Sequence, residues 1–302
     1  MKFAVYQVSR KGGRAINEDR VGYTYTREAV LLVLADGMGG HPEGEKAAEI
    51  AVQTFVQRFK TQAQPRLLDP VHFLEDTVLT ASQAIVDYAK VQRMDDNPRT
   101  TLVAAVVQDG MLTVLHSGDS RLYWVRQGHL LQRTRDHTYH DKPDLFKNLP
   151  ADVHRSVLFT CLGSDTQPLY DVLGPTALTQ GDRLLLCSDG LWSVMHDNDV
   201  AAGLHGLPLQ DAVTQLADEA VTQGGRHGDN VSILGLEWET ADNFESTQVI
   251  LPQALLGEHS RLAEPGPGEP VADLADFDDE AIERSIAEIN EAIRRTAVRK
   301  PS

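Results

Sequence analysis

Apolar and polar positions fall into short blocks whose period changes along the chain. Phe3–Val8 reads as a first strand, followed by the polar loop SRKGGRAINEDR and a second strand at Val21–Thr26. Val30–Ala35 is apolar throughout, the mark of a central strand. From Glu45 to Phe59 the period lengthens: Ala48, Ala51, Val52, Phe55, Val56 and Phe59 recur at helical spacing. A second helix over Pro70–Val91 carries Phe73, Leu74, Val78, Ala81, Ile85, Tyr88 and Ala89 on one side. A meander of strands follows at Thr101–Val107, Met111–His116, Arg121–Arg126 and His129–Gln132. The turns Asp109-Gly110 and Gln127-Gly128 support hairpins there.

Residues 136–155 are polar and irregular and read as a surface loop or flap. Strands resume at Val157–Thr160, Tyr170–Leu173 and Arg183–Cys187. Helices at Asp197–Ala202 and Leu209–Gln223 precede a last strand, Val231–Leu236. Strands that pair in sequence, interrupted by two long helices and then shorter ones, predict α+β layering: two mainly antiparallel sheets flanked by helices.

After Trp238 the character changes. Residues 239–277 are acidic and contain AEPGPGEP, the composition of a flexible linker. A helical period returns in 278–302, with Ile282, Ile286, Ile289 and Ile293 on one face. Arg294, Arg295 and Arg299 stand toward its C-terminus, where the helix dipole favours cations. This amphipathic helix suits either packing on its own domain or docking a partner. The domain expectation is therefore 1–238, then the linker, then the C-terminal helix.

At 302 residues and 41% hydrophobic content, the chain can bury one large core with extensions. The net charge of −16 is uneven, since residues 237–280 hold twelve acids against a single Arg, Arg261. No basic stripe appears, which argues against nucleic acid or anionic membrane as partner. Cys161 and Cys187 have neither metal nor redox spacing, and Cys187 reads as a small core residue. The N-terminus lacks the layout of a secretory signal, and no apolar run approaches the ~20 residues that cross a bilayer. The expectation is a soluble, cytoplasmic protein.

Candidate chemistry lies where the apolar strands run out. LLVLADG, LTVLHSGDSR and RLLLCSDG end in Asp36, Asp119 and Asp189, and Asp229 stands immediately before Val231–Leu236. Asp-Gly alone is a common turn dipeptide. Four acids each tied to a strong apolar run point instead to carboxylates converging on one spot, where they repel unless a cation neutralises them. An all-oxygen set selects hard cations such as Mg²⁺ or Mn²⁺ over Zn²⁺.

The ordered motifs carry a resemblance. Gly13-Arg14, Asn17-Glu18-Asp19 and Ala35-Asp36-Gly37-Met38-Gly39-Gly40-His41 are followed by Thr100-Thr101-Leu102 and Gly118-Asp119-Ser120-Arg121. Ser188-Asp189-Gly190-Leu191-Trp192 and Gly228-Asp229-Asn230 complete the series. Over about residues 1–238 the chain resembles the metal-dependent protein phosphatase family, the type 2C serine/threonine phosphatases, in its bacterial branch. The resemblance implies a four-layer αββα sandwich with a binuclear centre of Mn²⁺ or Mg²⁺ at one end. In it Asp36 bridges the two cations and the Gly37 carbonyl adds an oxygen. Asp189 and Asp229 complete the first cation, Glu18 and Asp19 hold the second, and Asp119 with Asp189 holds a weaker third. Arg14 is the implied phosphate clamp. The implied reaction is hydrolysis of phosphoserine and phosphothreonine by a metal-bridging water, with no protein nucleophile. The implied partners are phosphoproteins, namely Ser/Thr kinases and their substrates.

Departures from the family pattern accompany the likeness. Animal members carry a histidine, a proposed general acid, directly after the bridging Asp-Gly; here that position is Met38. His41 is the nearby candidate acid, beside a reading in which it shapes the loop or caps the next helix. Thr160-Cys161-Leu162-Gly163 stands where bacterial members carry an Arg-Ala-Leu-Gly type motif. His137, His140 and His154 read as solvent-exposed loop histidines rather than ligands. Two other readings compete: a non-catalytic phosphoprotein-binding scaffold of the same fold, and a structural Ca²⁺ site in an unrelated sandwich, which leaves Arg14 and Asn17-Glu18-Asp19 unexplained.

Overall fold

All seven residues of Ala29–Ala35 are buried, so this strand is covered on both faces. The computed structural model describes residues 1–39, 41–138, 158–240 and 248–249. In chain order the elements are β1 (Lys2–Arg10), β2 (Arg20–Tyr25), β3 (Ala29–Ala35), α1 (Gly44–Gln62), α2 (Pro70–Gln92), β4 (Leu102–Gln108), β5 (Met111–Ser117), β6 (Arg121–Arg126) and β7 (His129–Arg133). They continue with β8 (Asp171–Ala177), β9 (Arg183–Cys187), α3 (Asp189–Trp192), α4 (Asp197–Gly203), α5 (Leu209–Gly224), β10 (Val231–Thr240) and the two-residue β11 (Gln248–Val249).

Two sheets result, ordered β11-β1-β10-β9-β6-β7 and β2-β3-β4-β5-β8. Neighbours are antiparallel apart from β11, which lies parallel to β1. The strand period of two then sorts side chains between layers. Leu31, Val33 and Ala35 of β3 pack with Phe55, Phe59, Phe73 and Leu74 of α1 and α2. The alternate residues Val30, Leu32 and Leu34 meet Val5, Leu184, Leu186 and Leu234 of the opposite sheet. On the far side of that sheet, Leu185 and Cys187 pack with Val200, Val213, Leu216 and Ala217 of α4 and α5. The α+β layering expected from the pattern and the four-layer αββα sandwich implied by the resemblance are the architecture observed.

Local chemistry sets the helix ends. Asp69 caps α2 by accepting from the backbone N–H of Val71 and His72, and Pro70 occupies the first turn, where a missing donor costs nothing. Cys161 and Cys187 are both buried and free, and Cys187 sits in the core as expected.

Some elements differ from expectation. The strand expected at Val157–Thr160 does not form in the part described: Leu158 makes one isolated bridge with Thr138. The Thr160 hydroxyl accepts from Leu169 N and donates to Leu169 O, a local exchange that substitutes for a ladder. The strand expected at Tyr170–Leu173 runs over Asp171–Ala177 instead. It is a sheet edge, where Gly174 and Pro175 are tolerated but break the apolar pattern. The last strand extends to Thr240 because it pairs with β1 along its whole length. The chain divides into Met1–Gln253, which holds every described residue, and Ala254–Ser302. The expected C-terminal helix and most of the linker lie outside the described residues. Among those described, no helix is long and apolar enough to cross a membrane.

Candidate metal centre

Asp36 follows the last residue of β3, and its main chain is fixed on both sides. Its carbonyl accepts from Thr101 N at 2.9 Å and from the Thr100 hydroxyl at 2.8 Å, while its N–H donates to the Thr101 hydroxyl at 3.3 Å. Gly37 N donates to Glu18 O at 3.3 Å, which brings the Asn17-Glu18-Asp19 segment against the strand end. A side chain at Gly37 has no room, since its Cβ would stand 2.4 Å from the backbone of Gly44.

The second sheet supplies the remaining acids. Asp189 opens α3 two residues after the end of β9, and Asp229 lies two residues before the start of β10. Ser188 ties this sheet end to the Asn17-Glu18-Asp19 segment: its hydroxyl donates to Asp19 Oδ2 at 2.8 Å and accepts from Ser232 N at 3.0 Å. Asp119 sits in the turn between β5 and β6, with its carbonyl held by Trp192 Nε1 at 3.0 Å.

Electrostatics show that these carboxyls feel one another's charge. The Asp36 carboxyl is pushed well above the usual carboxylate range by burial, then by the charges of Asp19, Asp189, Asp119 and Asp229. Burial foremost raises Asp19 to about 7, with Asp189 adding repulsion. Asp119 is raised to about 7 by burial and then by Asp189 and Asp136. Asp189 reaches about 6 through burial and the charge of Asp229. Glu18 is also raised, by burial and then Glu45. These groups resist ionising together unless positive charge is added, and their oxygen donors suit a hard divalent cation.

Arg14 is the cation beside them. Its Nη2 lies 2.5 Å from Asp229 Oδ2, and the guanidinium is about half exposed and so reachable from solvent. The loop that carries it lies directly on the Asp229 loop: Gly12 has φ +60°, and a Cβ there would stand 2.1 Å from Asp229 O. Asn230 pins the same loop, accepting from Glu18 N at 2.8 Å and donating to Lys11 O at 2.7 Å and Ile16 O at 3.0 Å.

Arg14, Glu18, Asp19, Asp36, Gly37, Asp119, Asp189 and Asp229 are therefore gathered where both sheets end. His41 is engaged elsewhere, with Nδ1 2.9 Å from Asp96 Oδ2. His137, expected on the surface, is 1% exposed and packed beside the Asp119 turn. A polar loop sequence conceals this burial, because the groups that cover His137 come from distant segments. His140 and His154 lie outside the described residues. Sequence reasoning assigned no role to Ser188, Thr101, Trp192 or Asn230, although each falls inside a quoted motif.

Arg121 of the Gly118-Asp119-Ser120-Arg121 motif turns away from the centre. It forms a two-pronged pair with buried Asp136 at 2.8 and 2.6 Å, and its guanidinium carbon lies 3.8 Å from the Trp192 ring centre. It thus braces the tryptophan that holds Asp119.

Comparison with known proteins agrees with this geometry. A family profile described as protein phosphatase 2C matches residues 8–223. The serine/threonine protein phosphatase PstP of Mycobacterium tuberculosis is 32% identical over 258 residues, covering 83% of this chain and 48% of that protein. The serine/threonine phosphatase stp of Listeria monocytogenes is 28% identical over 243 residues, covering 78% of this chain and 95% of its own. The crystal structure of the PstP catalytic domain in complex with two manganese ions superposes with a TM-score of 0.64 at 28% identity, covering 78% of this chain and 97% of that one. This chain spans about half the length of the mycobacterial relative.

Proposed function

The chain belongs to the protein phosphatase 2C family, and we propose from that premise that it hydrolyses phosphoserine and phosphothreonine in proteins with the aid of divalent cations. The observation that carries the reading is a set of strand-end acids, Asp19, Asp36, Asp119 and Asp189, whose carboxyls are raised by burial and by one another's charge, beside a reachable Arg14. The relative with two manganese ions supports Mn²⁺, or the similar Mg²⁺, as the cation.

In this reading Asp36 and the Gly37 carbonyl would hold both cations of a pair, with Asp189 and Asp229 for the first and Glu18 and Asp19 for the second, and Asp119 with Asp189 would hold a third. When bound, the cation pair supplies an acidified water as nucleophile and neutralises charge on the phosphoryl oxygens. Arg14 binds the phosphate through its planar fork of donors, and Asp229 aims that fork. Asn230 keeps Arg14 and Glu18 in register by holding the backbone between residues 11 and 18. No serine or cysteine nucleophile is needed.

The partners in this reading are phosphoproteins, including Ser/Thr kinases and their substrates, and the setting is the cytoplasm. Residues 1–238 act as the catalytic domain, 239–277 as a linker, and the amphipathic segment 278–302 as a docking element. Release of phosphate from a phosphothreonine peptide and from p-nitrophenyl phosphate, with and without Mn²⁺, tests the activity. Turnover that needs Mn²⁺ supports it, and metal binding without turnover defeats it.

A further inference from the structure

His137 stands outside the carboxylate cluster yet grips the turn that presents Asp119. Its backbone N–H donates to Gly118 O at 3.0 Å, and its Nδ1 accepts from Gly118 N at 3.1 Å. Two bonds thus join residue 137 to a glycine at φ +103°, where an added Cβ would stand 2.8 Å from the Thr101 side chain. Because Nδ1 accepts, the ring proton belongs on Nε2, which faces Asp171 Oδ2 at 3.3 Å. The ring is held flat by His116, stacked at 4.6 Å and 18°, and it touches Phe159 at 5.5 Å.

His116, His137 and Asp171 bring one ligand-type atom each within 4.8 Å of one another, a spacing that a cation can bridge. Ligation through His137 Nε2 requires that nitrogen bare and moves the ring proton to Nδ1. The Gly118 N–H already points there, so two donors would face each other. The hydrogen-bond pattern favours a different use of the cluster.

We propose that His137, oriented by Asp171, is a positioning residue that fixes the Gly118-Asp119 turn in the geometry a divalent cation needs from Asp119. The opposite side of the turn is already fixed. Trp192 Nε1 holds the Asp119 carbonyl, and the Ser120 hydroxyl lies 2.6 Å from that of Thr101, the residue that also supports Asp36. His137 completes the set from the remaining side. A ligand oxygen must be held within about 0.5 Å of its working place, and the main chain before it sets that place. The proposal rests on the reading of Asp119 as a cation ligand.

Two substitutions separate shape from hydrogen bonding. His137→Asn keeps an acceptor at the Nδ1 position and gives up the reach to Asp171. His137→Phe keeps the stacked ring and removes the acceptor. In the metal-free protein, nitrogen-15 spectra should show His137 with its proton on Nε2, and the Gly118 amide should be protected from hydrogen exchange. His137→Phe should speed that exchange about tenfold, the worth of one hydrogen bond, and weaken the Asp119-dependent Mn²⁺ binding step in calorimetry by a similar factor. His137→Asn should retain most of both, and it keeps the test decisive if the Phe variant does not fold. In an Asp119→Ala background, His137→Phe should cost no further Mn²⁺ affinity. A proton on Nδ1, unchanged Gly118 exchange, or an equal Mn²⁺ loss in both backgrounds overturns the proposal. Normal exchange and tautomer with no Asp119-dependent Mn²⁺ step overturns it through its premise. None of these readouts uses turnover, so a failure of the phosphatase reading is seen separately.

Discussion

The Ser188 hydroxyl donates to Asp19 Oδ2 at 2.8 Å across 169 residues and joins the end of β9 in one sheet to the start of β2 in the other. Both residues are buried, and Asp19 is one of the carboxyls raised to about 7. The bond spans the two sheets at the point where the acids meet. Ser188→Ala leaves a buried carboxyl short of one donor, so a stability loss of about 1–3 kcal/mol is expected in chemical denaturation. Mn²⁺-dependent turnover should fall with it. Wild-type stability and wild-type turnover in the variant would remove the clamp from the account.

The raised carboxyls predict how stability follows pH in chelator. Asp19 and Asp119 titrate at about 7 and Asp189 at about 6 when folded, against 3.8 in an ordinary setting. Between those values the folded chain keeps protons that the unfolded chain has released. Their contribution is thus full below about pH 4 and lost as pH rises through about 7. The thermal midpoint in chelator should be lower at pH 8 than at pH 5.5, with a shallower slope in Asp119→Asn. Mn²⁺ should raise the midpoint more at pH 8, where bound protons no longer compete with it. A midpoint that climbs from pH 5.5 to pH 8 in chelator contradicts this reading.

Asn230 spends its whole side chain on the loop of Arg14 and Glu18. Asn230→Ala should raise KM for a phosphopeptide several-fold, because the phosphate-binding arginine loses its register. The fold core should survive, since the pinned loop lies at the sheet ends. Steady-state kinetics with a far-ultraviolet spectrum checks both halves, and an unchanged KM counts against the role.

The Arg121–Asp136 pair carries a stability prediction. Asp136 is 2% exposed and without Arg121 keeps only the more distant Arg133, at 3.8 Å, so Arg121→Ala leaves a poorly paired buried carboxyl and should cost about 3 kcal/mol. Arg121→Lys should rescue poorly, because lysine lacks the fork and the flat face that meets Trp192. Denaturant unfolding of both variants measures this, and full rescue by lysine refutes it.

Much of the fold was legible because the buried strands write themselves as apolar runs. β3, β4 and β9 are such runs, and the acids that follow them mark the site. The edge strand β8 was displaced in the reading because Gly174, Pro175 and its exposed positions leave no two-residue alternation. The clamps were not legible at all. Ser188 to Asp19 and Asn230 to Glu18 span 169 and 212 residues, and single polar bonds at that range leave no periodic trace. His137 was misread for the same reason: its cover comes from Gly118, His116, Phe159 and Asp171, none of them its neighbours in sequence.

The central claim is that acids at the strand ends form a centre for divalent cations that hydrolyses phosphoprotein esters. Asp36 is the acid whose carboxyl feels the charges of Asp19, Asp189, Asp119 and Asp229, so Asp36→Asn is the direct test. Phosphate release from a phosphothreonine peptide should require Mn²⁺ in the wild type and fall by at least about a hundredfold in Asp36→Asn, with folding retained. Equal rates in the two proteins, or release that persists undiminished in chelator, would contradict the account.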